Sequence, residues 1–182
     1  MDAPYLETKR LLIKPLSSLD AELLFTYRSD PEIARYQSWK PTSLTEAAEF
    51  IRKNTERFNQ TGTWFQLGIY PKENSRLIGD LGLHFCDDLQ VEIGYTIAGP
   101  FQHNGYAKEA VGGVVNYLFG QLKKHRITAS VDPENIASLT LLERFAFRKE
   151  AHFVQSIFSD GQWRDDLIYA VLAAEWGIKS SP

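Results

Sequence analysis

Two kinds of chemistry are packed between Val91 and Ala110, where the chain reads VEIGYTIAGPFQHNGYAKEA. The polar run Gln102-His103-Asn104-Gly105-Tyr106-Ala107 enters a helix whose apolar stripe is Ala107, Ala110, Val111, Val114 and Leu118. A loop laid against a helix N-terminus offers unpaired backbone N–H groups to an anion such as phosphate. Gly105 lets the backbone come close to that ligand. His103 lies inside the loop, where its charge suits the anion better than it suits a base. Upstream, Glu92 supplies a carboxylate able to take a proton. His84 is a second proton acceptor, since histidine is the side chain whose ordinary proton affinity lies nearest neutrality. Asn135 and Ser138 have the spacing of a helix N-cap and the N–H it accepts from. Cys86 is the only cysteine, so no intrachain disulfide forms. It stands beside Asp87 and Asp88 with no candidate metal set nearby, and the expectation is an incidental thiol and no metal.

These residues need elements to position them. Val91, Ile93, Tyr95 and Ile97 alternate with Glu92, Gly94 and Thr96, the period of a two-faced strand. Strands are also expected at 6–14, Trp64–Tyr70, Leu77–Phe85, Arg126–Val131, Phe147–Phe158 and Leu167–Leu172. Trp64 to Ile97 reads as an antiparallel meander, with a turn at Pro71–Ser75. Helical runs hold Leu19, Leu23, Leu24 and Tyr27, then Ala47, Phe50, Ile51 and Phe58. The second of these opens on the capping-box pattern Ser43-Leu44-Thr45-Glu46. A further helix spans Ile136 to Arg144, and Ser159-Asp160-Gly161 signals a hairpin. The order is strand, two helices, three strands, helix, strand, helix, two strands. It predicts an α/β fold with a mixed, mostly antiparallel sheet and helices on both faces.

Length and composition fit one domain over residues 1–182. The 182 residues are 43% hydrophobic and 24% charged, with a net charge of −3, and the pI is about 5.8. Such a chain can bury a full core. No basic block suggests nucleic-acid binding, and no apolar run is long enough to span a bilayer. The polar start MDAPYLETKR lacks a signal-peptide core, so a cytoplasmic location is expected.

The same residues, taken in order, resemble the GNAT N-acetyltransferases. More narrowly, they are similar to the ribosomal-protein N-terminal acetyltransferase type. Thr8-Lys9-Arg10-Leu11-Leu12-Ile13-Lys14 is similar to that group's opening strand, and Glu92-Ile93-Gly94-Tyr95 follows. Gln102–Ala107 matches the Gln/Arg-x-x-Gly-x-Gly/Ala signature, completed by Glu109-Ala110. Asn135-Ile136-Ala137-Ser138, Phe147-Arg148-Lys149-Glu150 and Tyr169–Trp176 match later blocks. The resemblance implies an acetyl-CoA site, with the pyrophosphate on Gln102, His103, Asn104, Gly105, Tyr106, Ala107 and Lys108. It implies main-chain contacts from Tyr95, Thr96 and Ile97 to the pantetheine arm, and places the Asn135 amide on that arm. Ser138 is implied near the thioester sulfur, able to help protonate the leaving thiolate.

Acetyl transfer to an amine needs a neutral nitrogen, a polarised carbonyl and an acid for the sulfur. Glu92 is the first choice of base and Ser138 the acid. Two departures stand out. Leu142 occupies the position where many members carry a tyrosine acid, and Gln155-Ser156-Ile157-Phe158 lacks the carboxylate that the ribosomal branch can place there. Acceptor determinants are expected around Tyr36 and Trp39, and Gln162-Trp163-Arg164 faces either the acceptor or a second subunit. The preferred acceptor is a protein N-terminal amine. The alternatives are a small-molecule amine (polyamine, amino acid or antibiotic) and an acetyl-CoA-binding module without catalysis. A homodimer is an expectation of the resemblance alone.

Overall fold

The computed structural model describes residues 2–54 and 58–177. One eight-stranded sheet runs through it. The segment read as a single first strand is a hairpin of β1 (Leu6–Glu7) and β2 (Leu11–Pro15), with Leu6 opposite Ile13. The bend at Thr8 is held by a distant group, because the Glu109 carboxylate accepts hydrogen bonds from Thr8 Oγ1 and the Arg10 backbone N–H, both at 2.6 Å. No local pattern announces that anchor.

A single 3-10 turn at Ser18–Asp20 precedes α1 (Ala21–Arg28). Leu19 lies in that turn and is 89% exposed rather than part of the stripe. The short α2 (Pro31–Ala34) was not expected. Asp30 caps it and Pro31 opens it, but one turn is too short to show a period. At α3 (Leu44–Asn54) Ser43 Oγ accepts the Glu46 N–H, while the Glu46 carboxylate reaches back to Thr42 instead. Residues 55–57 lie outside the described set. Phe58, read as helical, sits in a turn and packs edge-on against Phe65 and Phe85.

The meander is present as β3 (Thr63–Pro71), β4 (Gly79–Phe85) and β5 (Gln90–Ile97). Then come α4 (Tyr106–Gly120), β6 (Arg126–Val131), α5 (Ile136–Arg144), β7 (Arg148–Ser159) and β8 (Gln162–Leu172). The turn between β7 and β8 has both Asp160 (φ 51°) and Gly161 (φ 76°) in the left-handed region, as a two-residue hairpin requires. Strand order is β1-β2-β3-β4-β5-β6-β8-β7. Every pair is antiparallel except β5–β6. The mixed sheet read from the sequence is therefore observed.

Each face of the sheet has its own core. Ile13, Leu67, Leu83, Ile93 and Ile127 pack with Val111, Val114 and Leu118 of α4 and Leu142 of α5. On the other face, Leu24 and Tyr27 of α1 and Ala47 and Ile51 of α3 meet Tyr70 and Leu77. That second layer covers only one end of the sheet. The period-two alternation of β4 and β5 sends Asp80, Gly82 and His84, with Glu92, Gly94 and Thr96, to this partly open side.

Candidate active site

The single parallel pairing makes the site. β5 and β6 pair at Gln90↔Arg126, Val91↔Ile127 and Glu92↔Thr128, and no further. Beyond Glu92 the strands part. On its other edge β5 stays bonded to β4, and the Ala98 N–H donates to the Ile78 carbonyl at 2.9 Å. Alternation of the ladder then turns the N–H and C=O of Tyr95 and the N–H of Ile97 toward the gap. The Ile97 carbonyl accepts from Gln102 Nε2 at 3.0 Å.

A cleft of 510 Å³ occupies the gap. It is lined by Tyr95, Thr96, Ile97, Gln102, His103, Gly105, Tyr106, Ala107, Lys108, Asn135 and Ser138. Of the residues expected at the site, Asn104 and Glu92 do not line it. Asn104 instead shapes the loop, donating from Nδ2 to the Gln102 carbonyl and accepting from Arg10 Nη1.

The loop leaves its amides free. His103 (φ 61°) and Gly105 (φ 78°) are both left-handed, and Gly105 is the N-cap of α4. No side chain caps that end, and the first helical bond runs from Glu109 N–H to Gly105 O. The N–H groups of Tyr106, Ala107 and Lys108 thus point out of the helix end toward the cleft, the arrangement that holds an anion. Glu109 steadies the junction through its bonds to Thr8 and Arg10. Burial pushes its carboxyl up, but those hydrogen bonds and the Arg10 charge outweigh it and hold it below its ordinary value.

At the other wall Asn135 caps α5, its side-chain oxygen accepting the Ser138 N–H at 3.1 Å. The N-cap role read from the spacing is thus observed, and both residues also line the cleft. Ser138 Oγ lies 2.7 Å from the Tyr95 hydroxyl. Burial pushes the Tyr95 phenol up to about 12, with the Ser138 hydrogen bond acting in the opposite sense. The Tyr95 side chain was missed as a functional group, because from sequence it is one apolar-face residue of a strand. Thr96 Oγ1 is buried without a hydrogen-bond partner among the described residues.

Glu92 lies on the opposite face, at the vertex where β5 and β6 part. Its carboxylate is 3.6 Å from His84 Nδ1. Above it on the same face Gly94 pairs with Gly82, and a Cβ at Gly94 would meet nothing within 4 Å. The sheet face beside Glu92 is therefore uncovered at Gly94. Cys86 joins His84 and Glu92 there, their ligand-capable atoms all within 4.8 Å of one another. This corrects the expectation that no metal set lies near Cys86, since hairpin register supplied the third member. Tyr36, expected at an acceptor groove, lines this same cleft and donates to the Glu134 carbonyl. Trp39 does not line it: its ring stacks on Phe50 at 4.0 Å. Beyond the hairpin turn, Trp163 is exposed and packs on Phe158, while Arg164 pairs with Asp132 at 3.3 Å.

A family model described as an acetyltransferase (GNAT) domain matches residues 10–148. The chain belongs to the GNAT acetyltransferases. An uncharacterized N-acetyltransferase of Bacillus subtilis, YoaA, is 32% identical over 171 residues, covering 93% of this chain and 97% of that one. The [ribosomal protein uS5]-alanine N-acetyltransferase of Escherichia coli is 29% identical over 127 residues, 65% of this chain and 63% of its own. A crystal structure of spermidine N-acetyltransferase from Vibrio cholerae, in complex with CoA and spermine, shares the fold. Its TM-score is 0.81 at 22% identity, over 92% of this chain and 98% of that one. The activity of this GNAT protein is N-acetyl transfer. Among its described residues no helix is long and apolar enough to cross a membrane.

The Leu142 departure has a structural setting. Leu142 is 0% exposed and part of the core under α5. It faces the sheet, away from the cleft. The phenol of this GNAT chain reaches Ser138 from the strand side, through Tyr95.

Proposed function

We propose that this chain transfers acetyl from acetyl-CoA to a primary amine, preferably the N-terminal amine of a protein, and that it does so as a single domain. The observation that carries the reading is the gap beyond Glu92, with an uncapped helix end on one side and the Tyr95–Ser138 hydroxyl pair on the other. The left-handed Gly105 fits a ligand threaded through that gap.

In this reading acetyl-CoA supplies an activated thioester. The amides of Tyr106, Ala107 and Lys108, with Gln102, His103 and Asn104 shaping the loop, hold the pyrophosphate. Main-chain groups of Tyr95 and Ile97 align the pantetheine arm, while those of Thr96, expected there too, are turned to β4 by the ladder, and the Asn135 amide nitrogen faces the arm. A gap-facing N–H of β5 polarises the thioester carbonyl, the role of a preorganised donor at developing negative charge. The amine arrives from the other face, and Glu92 takes its proton through water on the uncovered face beside Gly94. Ser138, backed by the Tyr95 hydroxyl, donates toward the departing sulfur.

Support for the protein acceptor is the similarity to the ribosomal-protein enzyme. A small cationic amine is the second reading, favoured by Glu32 in the wall of the same cleft. Thiol release measured over a panel of peptides and small amines separates the two. Glu92→Gln is expected to lower kcat by a factor on the order of a hundred, within the usual range for a lost general base. Unchanged turnover in that variant removes Glu92 as the base. Acetyl-CoA binding without turnover on any acceptor overturns catalysis itself.

A further inference from the structure

The open end of the sheet carries a group of side chains that the transfer reaction does not fully use. We propose that His84 Nδ1, Cys86 Sγ and Glu92 Oε2 form a binding site for a divalent transition-metal ion of the zinc class, with solvent as the fourth ligand. Among the described residues this is the one group of three or more His, Cys, Asp or Glu side chains whose ligand atoms all lie within 4.8 Å of one another.

The geometry is specific. Tetrahedral zinc, with bonds of about 2.0–2.3 Å to nitrogen, oxygen and sulfur, spaces its ligands about 3.3–3.6 Å apart. Here sulfur and ring nitrogen are 3.7 Å apart, and ring nitrogen and carboxylate oxygen 3.6 Å. These two edges need shifts of only a few tenths of an ångström to take a metal, and the third, sulfur to carboxylate oxygen, lies within 4.8 Å and closes by side-chain rotation. The backbone makes the arrangement rigid. Cys86 follows the end of β4, its N–H still bonded to the Gln90 carbonyl at 3.0 Å, and Glu92 is directly opposite His84 in the β4–β5 register. The Trp64 ring stacks on His84 at 4.9 Å between centroids and 8° between planes, which fixes the imidazole plane.

The ligand set, one thiolate, one imidazole and one carboxylate, suits zinc rather than calcium or magnesium, which prefer oxygen alone. The His84 and Glu92 side chains are 28% and 31% exposed and Cys86 is exposed, so the site is open to solvent on one side. Three protein ligands and one open position match a site that exchanges its metal rather than one that is closed for structure. Binding replaces the thiol proton, which leaves to solvent as the metal–sulfur bond forms. It also engages the Glu92 carboxylate, so a bound ion blocks acetyl transfer. That last consequence rests on Glu92 as the base; the site itself does not.

Cobalt(II) titration of the reduced, metal-free protein tests the site. Cys86 is the only cysteine, so any thiolate-to-cobalt charge-transfer band reports this position alone. The band is expected to saturate at one equivalent and to be displaced by zinc. It disappears in Cys86→Ser, and its midpoint rises at least tenfold in His84→Ala. A preserved thermal shift with CoA shows that both variants fold. Absence of the band while Cys86 still reacts with a thiol reagent overturns the proposal. So does a band whose midpoint His84→Ala leaves unmoved. In parallel, stoichiometric zinc is expected to suppress turnover in the wild type but not in Cys86→Ser, with recovery on chelation. A saturating band with unaffected turnover keeps the site and removes Glu92 as the base.

Discussion

At the scale of single residues, the hydroxyl pair at the cleft wall is the sharpest feature. Ser138 alone is a weak proton donor, and its 2.7 Å contact with Tyr95 gives it a fixed partner. Because burial pushes the Tyr95 phenol up to about 12, it stays protonated throughout the neutral and mildly alkaline range. Tyr95→Phe removes that one oxygen and little volume. We expect kcat to fall on the order of tenfold, equivalent to about 1.4 kcal/mol. CoA affinity, read by direct titration, is expected to change little, and no alkaline limb of the wild-type profile below pH 10 is expected to vanish in the variant. A large loss of CoA affinity instead would make Tyr95 a packing residue.

At the scale of elements, two anchors hold the walls of the cleft. Glu109, in the first turn of α4, ties the β1–β2 bend to the phosphate loop through Thr8 and Arg10. Its folded-state carboxyl is held below its ordinary value. Its stabilisation is therefore present above that ordinary value and lost as pH falls through the lower, folded one. Glu109→Gln is expected to cost about 1–2 kcal/mol at neutral pH, since hydrogen bonds to charged groups are worth more than neutral ones and Arg10 is 44% exposed to screening. Chemical denaturation at falling pH should show the gap between wild type and variant closing in the acid range; a constant gap would count against the linkage. The second anchor is Asp80 of β4, 0% exposed. It accepts from Tyr27 at 2.6 Å and pairs with Arg28, and Gln66 also donates to it. Arg28 in turn donates to Gln37 in the cleft wall at 2.8 Å. Burial works against the Arg28 charge, yet Asp80 more than restores it. Asp80→Asn leaves that guanidinium buried without its counter-charge, a change that costs about 3–5 kcal/mol. A melting point lowered by roughly 10 °C is expected in calorimetry.

At the scale of the whole molecule, the two halves of the sheet are hydrogen-bonded to each other only along the first part of β5 and β6 and splay apart beyond it like a V. α4 and α5 pack on one face and α1 and α3 on the other. A ligand spanning the V touches both halves and binds only the folded chain. CoA at about a hundred times its Kd should thus add about 2.7 kcal/mol of stability. For a chain of this length that is a melting-point rise of roughly 5–10 °C, read by differential scanning fluorimetry. No rise with CoA would argue against the gap as the donor site.

Local period and punctuation in the sequence determined most of the elements, because each depends on neighbours a few residues away. The β3–β5 meander, the α5 helix and the Asp160-Gly161 hairpin follow from alternation, capping and turn chemistry that need no distant partner. The loop from Gln102 to Ala107 was legible for the same reason, since a polar run before an apolar stripe is a helix entrance wherever it occurs. What lay beyond the sequence depends on register and on contacts far along the chain. The bend in the first strand requires Glu109, about a hundred residues away. The Tyr95–Ser138 pair requires α5 to pack beside the parted strand. The grouping of His84, Cys86 and Glu92 requires the β4–β5 register, where a slip of one residue would turn Glu92 to the other face. The gap itself is written in no motif. It exists because β6 leaves β5 after three rungs, and only the packed sheet decides where two strands part.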